Sequence, residues 1–173
     1  MIYVMRLPKA REFNLPSDYE FKFHALTARP LRERICEKLA EADFEVWSVV
    51  VDKTTSPKSV EIMSRLEFYT FFAAETMELI PVEKRQNNVL VLDEFGLPEA
   101  WVLKLRQYLK LRKMPRHYRE MVAKRSRSEP LIQVTDFISG AILRRHAKSD
   151  SEAYDPIKKL KRIWNIVDKN LPH

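Results

Sequence analysis

The chain has 173 residues, 45% of them apolar, a formal net charge of +7 and a single cysteine. That length suits one domain with a real core, and no apolar run reaches the roughly 18 residues that a membrane span needs. A lone Cys36 excludes an internal disulfide and a thiolate metal cage, and the only glycines, Gly96 and Gly140, exclude a glycine-rich phosphate loop.

The first residues show no apolar segment followed by a small-residue cleavage site, so the expectation is a cytoplasmic protein with no membrane part. Residues 11–18 carry turn formers. YEFKFH, residues 19–24, alternates aromatic and charged side chains and reads as extended, with Tyr19, Phe21 and Phe23 on one face and Glu20, Lys22 and His24 on the other. Pro30 suits the first turn of a helix running to about Ala42, with Leu31, Ile35 and Leu39 as its buried stripe. Residues 44–52 read as a strand with Val49–Val51 buried. A long helix over residues 58–80, apolar on more than one face, is expected to pack between the sheet and a further surface such as a partner subunit. After a polar connection come a strand at 89–93, a helix from Pro98 to about Arg112, an edge strand at 118–124, and a helix from Pro130 or Leu131 to about His146. Ile157, Leu160, Trp164 and Val167 mark a C-terminal helix. Strands alternating with helices argue for an α/β fold with a parallel or mixed sheet, a single domain over residues 1–173.

Chemistry concentrates at two places. VLVLDEFG, residues 89–96, reads as a strand buried on both faces that ends in Asp93 and Glu94. Ligands of α/β sheets bind beyond such carboxyl ends; the alternative is a solvated loop. In residues 131–146, Leu131, Val134, Ile138, Ala141 and Ile142 form an apolar stripe, while Gln133, Asp136 and Gly140 share a neighbouring face. Glycine inside a helix costs about 1 kcal/mol relative to alanine, so it belongs where something must come close. If that face packs on the sheet, Asp136 approaches Asp93, and two carboxylates so placed require a proton or a cation between them. Mg²⁺ or Mn²⁺ suits such oxygen ligands; the alternative is that Asp136 is a surface or salt-bridged residue. Glu20 is a third candidate. The histidines show no zinc-ligand spacing, and no serine is flanked by nucleophile-elbow glycines. Between Lys104 and Arg127, ten cations face one acid, Glu120. Such a block fits contact with a polyanion, nucleic acid first, against the alternative of a solvated basic face.

YEFKFH, FEVWSVVVDK, VLVLDE and RSRSEPLIQVTDFISGAI, in that order, resemble the family called domain of unknown function 3800. The likeness covers about residues 19–173, and its most specific part is the set Ser126, Gln133, Asp136 and Gly140. It implies a ribonuclease H-like mixed sheet flanked by helices and a metal-dependent nuclease, with Glu20, Asp93 and Asp136 as the carboxylates that hold Mg²⁺ or Mn²⁺. Lys22, Lys53, Ser126 and Gln133 would support that site, and Lys110, Arg112, Lys113, Arg116, Arg125 and Arg127 would hold the nucleic acid. The chain departs from the family at its start, where an Asp-Glu-Ser-Gly strand and its neighbour are missing; Met1–Asn14 contains no aspartate. The expectation is therefore a truncated or naturally short form of doubtful activity, with a non-catalytic nucleic-acid-binding or assembly module as the alternative. A homo-oligomer is expected through the helix at 58–80 or through the open sheet, and strand exchange or edge-to-edge pairing of the sheet would cover the gap.

Overall fold

A computed structural model describes residues 22–23, 29–41, 44–51, 58–86, 88–94, 96–114, 118–160 and 164–168. Where the sequence suggests one domain, the contacts group into two compact units. Of the described residues, those lying between 46 and 124 and those at 165–168 fall in the first, and those lying between 22 and 45 and between 125 and 164 in the second.

The first unit is built on a strand–helix–strand crossover. Strand β2 (Asn88–Asp93) pairs in parallel with β3 (Tyr118–Lys124), and α5 (Pro98–Leu111) connects them. Pro98 supplies a first-turn φ already suited to a helix, and Gly96 just before it takes a left-handed φ of 59°. One face of α5 is apolar, and Trp101, Leu105 and Leu109 bury against Ala74 and Met77 of α3 (Arg65–Leu79). Leu90, Leu92, Met121 and Ala123 pack on the same cluster from the strands. Strand β1 (Val46–Val50) pairs with β4 (Trp164–Asp168), and α3 packs on β1. The protein is thus mixed α/β, largely helical, with a small parallel sheet.

Several expectations change. The helix expected over residues 58–80 is two helices, α2 (Lys58–Glu61) and α3. The break follows from Ser64: its hydroxyl accepts the Glu67 N–H at 3.3 Å while the Glu67 carboxylate accepts the Ser64 N–H at 3.0 Å, a capping box that starts a new helix. The connection at 81–88 contains a helical turn, α4 (Val82–Arg85). β2 is half-buried along its length rather than buried on both faces, because β3 is its sole strand partner among the described residues. In β1, Val46 is the buried residue, while Val49 and Val50, and Val51 beyond them, are half-buried. The C-terminal helix ends early: α7 (Tyr154–Leu160) gives way to β4, whose WNIVD run includes the β-branched pair Ile166 and Val167. Of the extended stretch 19–24, only Lys22 and Phe23 lie among the described residues, and neither is in a strand.

The second unit is helical. α1 (Arg29–Glu41) packs on α7, and α6 (Pro130–Lys148) contacts α7 as well. Ile35, Cys36 and Leu39 of α1 are buried, as are Ala153, Tyr154 and Ile157. The Cys36 thiol donates to the Ala153 carbonyl at 3.6 Å, and burial pushes it up to about 12, so it remains a packed neutral thiol rather than a reactive one.

Candidate nucleic-acid interface

In the second unit the polar face of α6 is organised around Phe23. The Phe23 N–H donates to the Asp136 carboxylate at 3.1 Å. The Phe23 ring meets Phe137 edge-on, centroids 5.3 Å apart, and it lies so close to Gly140 that a Cβ there would collide with the root of the ring. The glycine answers to the close approach of another segment, and that segment is residues 22–23. One turn earlier, Gln133 donates from Nε2 to the Ser126 carbonyl at 2.9 Å, holding the 3₁₀ turn Ser126–Ser128 against the start of α6. Asp136 and Gly140 thus have a structural role toward Phe23, and Gln133 has one toward the Ser126 backbone. Lys22 is half-buried beside Phe23.

Asp93 belongs to the first unit. It stands exposed at the carboxyl end of β2, in register with Lys124 of β3, and the Glu94 N–H donates to the Lys124 carbonyl at 2.9 Å. Asp93 and Asp136 thus belong to different units, and Glu20, Lys53 and Arg116 lie outside the described residues. Among the described residues, no three His, Cys, Asp or Glu side chains gather into a group fit to hold a metal ion.

The basic block divides. Arg112 is bound within the first unit: its guanidinium pairs with Glu75 at 2.5 Å and with Glu78 at 2.8 Å, and it lies 5.8 Å from the Tyr108 ring centroid. Glu75 is buried, so this pair ties the end of α5 to α3, while the rest of Arg112 stays in contact with solvent. Arg125 and Arg127 are exposed on the second unit, around the 3₁₀ turn. Lys110 and Lys113, in contrast, stand exposed with Arg106 and Arg119 around a single recess between the end of α5 and the start of β3. Arg106 is steadied there by donating from Nη2 to the Met121 carbonyl at 3.4 Å. Among the described residues, Glu120 is the only carboxylate on the lining. Arg85, buried at the end of α4, also lines this recess. The sequence contains no signal for it, because a cation in a four-residue helical turn has no periodicity to break.

No family model matches the chain, and neither do the curated proteins or the solved structures compared with it. The resemblance described above rests on its four segments.

Proposed function

We propose that this protein binds nucleic acid through the basic face of the β2–α5–β3 unit. The observation that carries the reading is the convergence of Arg106, Lys110, Lys113 and Arg119, from two different elements, on one recess with a single acid among them. Cations spread over a surface at random are solvated singly. Cations gathered on a concave surface focus their field and attract an anion by releasing its counterions. A ribonuclease H-like fold related to domain of unknown function 3800 belongs to the same proposal, supported by the parallel crossover and by the order of the four motif segments. The test is anisotropy of a labelled single-stranded oligonucleotide titrated with the full chain and with Lys110→Glu/Lys113→Glu/Arg119→Glu. The variant should bind at least tenfold more weakly; equal binding overturns the proposal. Arg112 is left out of that variant because it pairs with the buried Glu75 carboxylate, and its loss would disturb the fold itself.

A second reading, metal-dependent phosphodiester hydrolysis, is supported by the exposed Asp93 at the carboxyl end of a parallel pair. Cleavage of an oligonucleotide in Mg²⁺ or Mn²⁺ that disappears in Asp93→Asn would favour it. An uncleaved panel of RNA, DNA and hybrid substrates would sink it.

A further inference from the structure

The recess on the first unit has a volume of ≈ 430 Å³, inside the range of about 300–1,000 Å³ typical of small-molecule sites. At its wall lies Arg85, a residue only 7% exposed. Its Nε is fully buried without a hydrogen-bond partner, and among the described residues no carboxylate pairs with its guanidinium. A buried cation with an unsatisfied Nε and no carboxylate beside it is costly and is tolerated where a ligand of opposite charge completes it. Glu120, the one acid on the lining, is exposed and makes no ion pair with Arg85.

Around Arg85 the lining is chemically uneven. Arg106, Lys110, Lys113 and Arg119 bring further positive charge, and Tyr118 brings a phenol. Burial pushes that phenol up to about 12, with Arg85 pulling the other way, so at neutral pH it is an un-ionised hydroxyl able to donate. The remaining wall is apolar and soft, made partly by Met77, Met114 and Met121. An anion alone would use the cations and leave the methionines idle. A group with a phosphate at one end and a flat, largely apolar body at the other uses both.

From this we infer that the recess is a binding site for the phosphate monoester of a nucleotide, with Arg85 as the buried anchor of the phosphate and the methionine wall beside the base. The source is either a free nucleotide or the phosphorylated end of a strand, and in the second case the inference deepens and rests on the nucleic-acid reading above. Arginine suits the anchoring role because its planar fork meets two phosphate oxygens at once, which lysine cannot do.

The test uses the full chain and one single-stranded oligonucleotide in three forms, unphosphorylated, 5′-phosphorylated and 3′-phosphorylated, with adenosine monophosphate as the free-nucleotide arm. At least one terminal phosphate is expected to tighten binding tenfold or more. Arg85→Met should abolish that preference, so that the three strands bind alike. Arg85→Met removes an unpaired buried charge and is expected to fold. As a measurement independent of any variant, inorganic phosphate should raise the melting temperature of the natural chain above that in chloride of equal ionic strength. Equal binding of all three strands, with no response to adenosine monophosphate, overturns the pocket and leaves the general nucleic-acid reading standing. Binding of adenosine monophosphate that depends on Arg85, with no strand bound, supports the pocket and overturns that reading. Failure of every arm overturns both.

Discussion

Asp136 and Gly140 stand out in the sequence because an acid and a glycine interrupt an apolar helix, and both interruptions prove meaningful for a reason the sequence does not contain. The helix face they share meets Phe23, more than a hundred residues away, through a 3.1 Å hydrogen bond and a close ring contact. Gly140→Ala is therefore a contest between two effects. Helix propensity favours alanine by about 1 kcal/mol, while forcing a methyl into a filled space costs about 1–3 kcal/mol. The contact is with the root of the Phe23 ring rather than its tip, so the clash should win. Thermal melts are expected to show Gly140→Ala destabilised, and a stability equal to or above the natural chain would contradict the packing. At Asp136, asparagine keeps an oxygen to accept the Phe23 N–H and alanine does not. Asp136→Asn should leave the melting temperature within a degree or two, whereas Asp136→Ala loses about 1 kcal/mol. If Asp136→Asn instead abolishes a metal-dependent cleavage without changing stability, its role is chemical as well as structural. Arg112 teaches the opposite lesson. In a list of cations it looks like its neighbours, and only the placement of Glu75 and Glu78 shows that its charge is paired within the chain.

At the scale of elements, periodicity and capping residues carry much of the information. The helices opened by Pro98 and Pro130, the strand ending in Asp93 and the strand at Tyr118–Lys124 are legible because proline, an apolar run and turn residues mark them locally. Strand pairing is not legible, since the parallel register of β2 on β3 depends on how α5 packs rather than on either strand's own residues. The separation of α2 from α3 was available in principle: Ser64 and Glu67 have the spacing of a capping box, though the apolar character of the surrounding residues masks it. That box titrates. The Glu67 carboxyl is held below its ordinary range by the hydrogen bonds from Ser64. A depressed folded pKa means stability that is fully present above the unfolded carboxylate pKa and lost as pH falls through the folded one. Ser64→Ala should accordingly lower the melting temperature at pH 7 and clearly less near pH 3, in paired melts of the two proteins. A penalty independent of pH would mean that the box contributes nothing through its charge.

For the molecule as a whole, the uneven charge is the feature of the sequence that leads furthest. The formal charge of +7 says only that a polyanion is a reasonable partner; the fold selects, from the ten cations of the block, the few that converge. It also assigns Asp93 and Asp136 to separate compact units, which no periodicity foretells. Arg85 is legible from neither composition nor pattern, because its burial arises only when α4 and the β2–α5–β3 crossover form together. The salt dependence of strand binding tests this account most directly. If Arg106, Lys110, Lys113 and Arg119 each neutralise a phosphate, log affinity for a single strand should fall with log salt at a slope of about −3, since each contact contributes about −0.7. Neutralising Lys110 and Arg119 together as glutamine should bring the slope to about −1.5. A slope near zero, or one that the double variant leaves unchanged, would contradict nucleic-acid binding through this face.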